Sequence, residues 1–392
     1  MKNSHQIIIV VGFLFSSCSG QSNSSSTQNT KYSPEIITIK VGEAPGSVEI
    51  ADINNDRHLD LIVGNENDSS VTVLLGEIDT RFQIAKGSPF FAGHGVNDIA
   101  IGDFNNDGNL DLALANTDRK YLTVLSGTGQ GKFSPFPKSP FPVDVKPHVH
   151  GIAIGDFNRD GKLDLATDSW GNDQIEILFG DKSNEFRTPG TFFKVGRMPY
   201  QRLRTADVNL DGNDDIVTTN LEGGNVTILL GDGKGNFHEA KESPFPCGDA
   251  PFGLAIGDLN DDGMPDLAVI NSPSSTGGLV AGVNGLTVLF GKGDGSFSVM
   301  KGSPFKSGKI PNRIAIGDVN GDGINDVVTS DNDSNKIYLF LMSKNDLILA
   351  QSTITVGNHP KGIAIADLNG DGKGDIVVCN QLDNEISVII GR

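Results

Sequence analysis

One nonapeptide occurs seven times in this chain of 392 residues, and no other feature limits its fold as strongly. The copies begin at Asp52, Asp103, Asp156, Asp207, Asp258, Asp318 and Asp367, at spacings of 51, 53, 51, 51, 60 and 49 residues. Position 3 is always Asn: Asn54, Asn105, Asn158, Asn209, Asn260, Asn320 and Asn369. Position 5 is always Asp: Asp56, Asp107, Asp160, Asp211, Asp262, Asp322 and Asp371. Position 9 is again Asp: Asp60, Asp111, Asp164, Asp215, Asp266, Asp326 and Asp375. Position 6 is Gly in six copies and Arg57 in the first, position 2 is apolar throughout, and position 7 varies freely. A fixed period of about 50 residues marks an internal structural repeat.

The flanks of each copy are alike. A short apolar run precedes it, such as IAIG at 99–102, and another follows, such as LALAN at 112–116. A third run ends in Gly, as in VTVLLG at 71–76, and a fourth segment opens with Phe133, Phe186, Phe237 or Phe297. Runs of four to six β-branched and aliphatic residues between Gly, Asn and Asp are strands. Gly contributes 49 of the 392 residues, well above the usual share of about 7%, which argues against helical bundles and coiled coils. Four short antiparallel strands per 50-residue unit make a propeller blade. The expected fold is therefore all-β, a single seven-bladed β-propeller over residues 35–392. The seventh unit ends after its third strand, EISVIIGR at 385–392, whereas IITIKVG at 36–42 precedes the first. That spare segment matches TITVG at 353–357 in unit 6. It should complete blade 7 and cover its open edge. The 60-residue spacing places an insertion at 272–285, between the second and third strands of blade 5.

The nonapeptide itself carries chemistry. Oxygen-bearing side chains at alternate positions of a tight loop converge, a Gly at position 6 permits positive φ, and a variable position 7 is what a backbone carbonyl ligand allows. Hard oxygen donors suit Ca²⁺, so the 28 residues at positions 1, 3, 5 and 9 are the candidate ligands of up to seven structural calcium ions. The loop lacks the Glu at position 12 that an EF-hand requires, and its flanks are strands. The competing account is that Asx and Gly simply make good hairpin turns. Site 1 should be weaker, because Arg57 must adopt a left-handed conformation at a cost on the order of 1 kcal/mol. Positions 1, 5 and 9 hold 21 of the 49 acidic residues, and seven divalent ions would bring the formal charge from -18 to -4.

The D-x-N-x-D-G-x-x-D loop between strands resembles the FG-GAP/VCBS repeat of the integrin alpha-subunit propeller. The resemblance covers residues 35–392. It implies the propeller fold, calcium at the nonapeptides, and loops that join the first and second strands of each blade on the face opposite the usual ligand surface. The metal would then be structural. This sequence has Asn at position 3 where the family more often has Asp, which lowers the ligand charge.

The first residues read as an export signal. Gln6–Phe15 (QIIIVVGFLF) is an apolar run too short to span a bilayer as a mature helix. It ends in Phe15-Ser16-Ser17-Cys18, which resembles a bacterial lipobox with Phe15 where Leu is usual. The expected division is a signal peptide at 1–17, lipidation at Cys18, a flexible tether at 18–34 and the propeller outside a membrane, lipid-anchored to the bacterial cell envelope or secreted. The alternative is that Cys18 belongs to the cleaved leader. Cys247 and Cys379 fall in different repeats and are not expected to pair; Cys379 reads as a small core residue. An acidic chain with pI near 4.7 has no electrostatic reason to bind nucleic acid.

Three Gly-rich stretches, at 127–133, 231–237 and 293–297, lead into strands and not helices, so they are turns and not phosphate loops. On the face opposite the nonapeptides, loops leading into first strands and joining second to third strands carry His148, His150, Trp170, Tyr200, Arg202, Arg204, Arg313 and His359, besides Phe252, Asn312 and Lys361. Most blades place Gly or Ala where Arg202 and Arg204 sit, and Glu49 and Asp98 occupy comparable positions in blades 1 and 2. These residues are the candidate ligand face. The expected function is a monomeric, calcium-stabilised binding or adhesion module for a protein or glycan. The alternatives are a carbohydrate-active lyase or hydrolase on a propeller scaffold, or a structural part of an envelope assembly. Fold alone does not choose among them.

Overall fold

The computed structural model describes residues 34–181, 185–344, 346–349 and 353–391. The expected leader and Cys18 lie outside the described residues. The unit from Ser33 to Arg392 contains seven antiparallel sheets, six of them running from an innermost to an outer strand in sequence order and the seventh taking its outer strand from the N-terminal segment. Blade 2 is representative: Val96–Gly102, Asp111–Asn116, Tyr121–Gly127 and Phe133–Pro135. The second strand is buried along its whole length in every blade, as in Asp60–Asn65 and Asp375–Asn380. Both faces of each sheet pack against neighbouring blades, which is why these segments read as continuous and not alternating apolar runs.

Blade 7 closes as its sequence predicts. Glu35–Lys40 pairs antiparallel with Glu385–Ile390, with Ile39 opposite Ile386. The matching segment of blade 6 places Ile354 opposite Ile337 at the same point of its third strand. The insertion in blade 5 holds a 3₁₀ turn, Pro273–Thr276, before the third strand resumes at Gly285. Cys247 and Cys379 are buried and unpaired.

The outer edge differs from expectation. In blades 1, 2, 4 and 6 a second short segment continues along the third strand, for example Phe141–Pro142 in blade 2. In blade 3, Phe186 makes only a single bridge to Gly180, and the outer strand is Thr191–Lys194. A Ser-Pro pair at 88–89, 139–140, 243–244 and 303–304 interrupts the edge of blades 1, 2, 4 and 5. The Ser Oγ there accepts the N–H of Val73, Val124, Ile228 or Val288 at 2.9–3.2 Å. A hydroxyl thus replaces the missing strand carbonyl, and the edge turns without leaving a donor unpaired.

Sheets of this order set two ends apart. Turns from strand one to two, and from three to four, lie at one end; turns from two to three, and connections between blades, lie at the other. At that second end the groups are stitched by one recurring bond, from the turn after the second strand to the carbonyl just before the first. Examples are Thr117 to Gly95, Leu221 to Met198, Ser272 to Ala250 and Gln381 to His359, at 2.8–3.1 Å.

Candidate functional site

All seven nonapeptides join the first and second strands of their blades. Position 6 has positive φ in each, from 72° at Arg57 to 87° at Gly108. Position 4 does as well, at Asn55, Asn106, Arg159, Leu210, Asp261, Gly321 and Gly370. This second requirement was hidden because only two copies meet it with Gly. The two left-handed residues turn the amides of positions 5 and 6 onto the first carboxylate. In blade 3, Asp156 accepts Asp160 N–H at 3.0 Å and Gly161 N–H at 2.9 Å, and Asp160 accepts Lys162 N–H at 2.9 Å.

Position 9 has a different environment. Its side chain is fully buried at the start of the second strand. In blade 3, Asp164 accepts the N–H of Phe157 at 2.9 Å and of Gly180 at 2.8 Å. The same pair of bonds, one to position 2 and one to the end of the third strand, recurs at Asp60, Asp111, Asp215, Asp266, Asp326 and Asp375. Position 9 is therefore a latch that ties three strands together. The Gly that ends most third strands has a separate cause, the backbone of position 8: a Cβ at Gly127 would lie 2.0 Å from the Leu110 carbonyl oxygen. Burial pushes these carboxyls up, to about 6 for Asp60 and about 8 for Asp164, and the charges at positions 5 and 1 add to the shift.

The donor set of each loop, three carboxylates and an amide, suits a hard divalent cation. Each carboxylate oxygen that accepts one N–H keeps a second lone pair. Among the described residues no three His, Cys, Asp or Glu groups stand together as a finished metal cage; hydrogen bonds within the loop hold the side chains.

At the opposite end, the candidate ligand-face residues fall into separate groups. His148, His150, Trp170 and Tyr200 come together. His148 Nε2 lies 3.3 Å from His150 Nε2, the Trp170 and Tyr200 rings meet edge-on at 5.4 Å, and the His150 and Tyr200 rings lie 4.3 Å apart. Phe252 packs on Tyr200 at 5.8 Å. His150 is buried, whereas His148, Trp170 and Tyr200 are half-buried. Burial and the neighbouring His150 hold His148 below the usual imidazole range. His150 Nδ1 is 3.5 Å from Asp168 Oδ2, and His148 Nε2 is 3.6 Å from Asp118.

Arg202, Arg204 and Arg313 lie in the central channel, not on solvated loops. Arg202 and Arg313 are only 3% and 4% exposed. Strand register puts Ser47, Asp98, Arg202 and Arg313 at one level of their innermost strands, and Gly253 and Gly362 at the same level of blades 5 and 7. The register shift that adds one residue to the innermost strands of blades 1, 2, 5, 6 and 7 adds two in blade 4, with Gln201 at φ 77°. Asp98 Oδ2 receives Arg204 Nη1 at 3.1 Å and lies 3.4 Å from Arg202 Nη1. Burial alone would raise Asp98; the surrounding guanidiniums outweigh it and hold the carboxyl below its ordinary value. Glu49 sits beside them, pushed up to about 7 by burial despite Arg204. Lys361 donates to Glu66, which also accepts Gln381 Nε2 at 2.9 Å. His359 stands apart at the junction of blades 6 and 7, bonded to Asn332 at 3.1 Å.

Asp168, Asn97 and Gln201 escaped the sequence reading. Asp168 had a visible signal, a second charge inside the strand segment DLATDS, where the other blades carry one Asp at the start and none at this position. Its Oδ1 accepts the N–H of His150 at 2.9 Å and Gly151 at 2.7 Å, replacing strand pairing where blade 3's innermost strand is short. Asn97 and Gln201 carry no local pattern.

FG-GAP-like repeats match this chain at residues 52–114, 103–167, 207–269 and 318–378. Cartilage acidic protein 1 of Xenopus tropicalis is 25% identical over 190 residues, 46% of this chain but only 29% of that protein's length. Among solved structures, BBS1N in complex with ARL6DN superposes with a TM-score of 0.58 at 11% identity, over 91% of this chain and 96% of that one. A catalytically inactive histidine variant of virginiamycin B lyase from Staphylococcus aureus, solved with quinupristin, gives 0.55 at 14% identity, over 91% and 99%. A putative 6-phosphogluconolactonase from Bacteroides fragilis gives 0.58 at 16%, over 80% and 85%. At these identities the structural likeness concerns the fold, and the neighbours include both enzymes and a complex-forming protein.

Proposed function

The chain belongs to the FG-GAP-like repeat family, and from that premise we propose that it is a calcium-stabilised propeller that binds a protein or glycan at the end opposite the nonapeptides. The observation that carries this reading is the half-buried aromatic patch of His148, Trp170 and Tyr200. Rigid aromatic side chains gather at one blade junction, beside buried charges that fix their footing. Aromatic surfaces of this kind stack on sugar rings and anchor protein interfaces. The calcium ions would be held by positions 1, 3, 5 and 9 of each loop and would neutralise carboxylates that otherwise repel one another. Export and a lipid anchor at Cys18 would place the patch outside the membrane.

A glycan-array screen of the purified protein, in calcium and again with chelator, tests this. Binding to a defined glycan class, weakened by Trp170→Ala or Tyr200→Ala, supports a lectin-like role. With no glycan bound by well-folded protein, surface cross-linking should capture a protein partner that the same substitutions release. Failure of both would refute the reading.

A second reading has one observation in its favour. The His150–Asp168 pair, with His148 at 3.3 Å, has the groups that acid–base chemistry uses. Turnover of a polysaccharide that ceases in His148→Ala would favour an enzyme.

A further inference from the structure

The central channel holds a cation that its neighbours do not balance. Arg313 is 4% exposed, and a guanidinium cannot shed its charge in a protein. Its hydrogen bonds run to neutral amides, Nη2 to Asn97 Oδ1 at 3.0 Å and Nη1 to Gln201 Oε1 at 3.4 Å. Its Nε is buried without a partner. Among the described residues no carboxylate stands within ion-pair distance of it. The two carboxylates whose charge acts on it are both engaged elsewhere: Asp98 by Arg202 and Arg204 and by the Ile152 N–H at 3.2 Å, and Glu66 by Lys361 and Gln381. Asp168 faces His150 instead. An unpaired buried charge is among the most expensive features a fold can carry.

Beside Arg313 there is space. Gly253 and Gly362 stand where blades 1, 2, 4 and 6 carry Ser47, Asp98, Arg202 and Arg313, and together with Arg202, Arg204 and Arg313 they line a cavity of about 30 Å³. That is room for one or two water-sized groups. Three guanidiniums against the carboxylates of Asp98 and Glu49 leave the lining positive, and it is more so when Glu49 is protonated. Crowding by burial and by Arg202 lowers the pKa of Arg313 to about 9, as expected of a cation short of a counter-ion.

We infer that the central channel is an anion site, in which a small monovalent anion, a halide or a carboxylate, sits between Arg313 and the two arginines of blade 4. The chemistry is that of charge-assisted N–H donors around one acceptor. The acceptor could be a free ion or the carboxylate of a ligand docked at the mouth.

The test is thermal unfolding of the full chain in a gluconate buffer, at constant ionic strength and free calcium, titrated with bromide, formate or sulfate. The expected result is a saturable rise in Tm with bromide or formate and none with sulfate, which is too large for the cavity. Arg313→Gln should weaken that response roughly tenfold or more. Bromide-soaked crystals of the unmodified protein should show an anomalous peak beside Arg313, which decides the matter if the variant does not fold. A response to bromide alone assigns a free halide; a response to formate as well assigns carboxylate recognition. No saturable effect and no peak would overturn the proposal, as would an Arg313→Gln variant with an unchanged response.

Discussion

Replacing Asp164 by Ala should remove a latch that works without metal. The carboxylate accepts two buried N–H groups, from Phe157 at 2.9 Å and Gly180 at 2.8 Å. The substitution leaves both donors unsatisfied, at about 1–3 kcal/mol each. Part of that loss is returned, because folding no longer has to bury a carboxylate close to Asp156 and Asp160. The net expectation is a destabilisation of about 2–4 kcal/mol. Asp164→Asn keeps one acceptor oxygen and should lose roughly half as much. Asp160 is exposed and accepts the Lys162 N–H at 2.9 Å, so Asp160→Ala should cost no more than about 1 kcal/mol in the absence of calcium. Urea unfolding in excess chelator, followed by intrinsic fluorescence of Trp170, measures all three. The reasoning fails if Asp164→Ala is as stable as the unmodified protein in chelator. A loss that appears only in calcium would make position 9 a ligand and nothing more.

Three further outcomes follow from the fold. Asp98→Ala leaves the buried Arg202 and the half-buried Arg204 without this counter-ion and should destabilise the protein by about 3–5 kcal/mol, read by the same unfolding assay. Glu49 has its folded pKa raised to about 7, so the folded state binds the proton more tightly than the unfolded chain. Its contribution is present at low pH and is lost as pH rises from about 4.5 through 7, by at most about 3 kcal/mol. Glu49→Gln should make the stability profile less steep over that window by this amount, the buried position-9 carboxyls, raised to about 6–8, keeping the remainder, and an unchanged profile would contradict the assignment. Deleting residues 34–40 uncovers the strand Glu385–Ile390 and should give aggregation, detected by light scattering, because an unpaired edge is a template for other chains.

Much of this fold can be read from local pattern. Seven identical Asp-Asn-Asp-Asp loops at even spacing specify the strands they connect. The likeness of IITIKVG to TITVG identifies the closing strand down to the pairing of Ile39 with Ile386. The Arg57 conformation follows from the Gly that replaces it elsewhere. The channel is less legible for a physical reason. Arg313 and Asn97 are 216 residues apart, and Asn97 and Gln201 are 104 apart. Their meeting depends on which side chains reach across the ring, and neither periodicity nor turn chemistry encodes that. Arg202 and Arg204 of blade 4 were visible as departures from Gly or Ala, but the burial of Arg202 and Arg313 was not. Asp168 could have been noticed as a second charge within the strand segment DLATDS. The Ser-Pro breaks of the outer edge recur four times and were legible, yet a strand reading built on apolar runs passes over them.

The central claim, that the nonapeptides are calcium sites, is tested most directly by counting ions. Equilibrium dialysis of the purified protein at millimolar free calcium, the range of extracellular modules, should find six to seven ions bound per chain. Melting with and without chelator should differ in parallel, since occupancy at ten times the dissociation constant adds roughly 1.4 kcal/mol per site. Fewer than one ion per chain, with an unchanged melt in excess EDTA, would mean that the seven loops are hydrogen-bonded turns and that the metal reading is wrong.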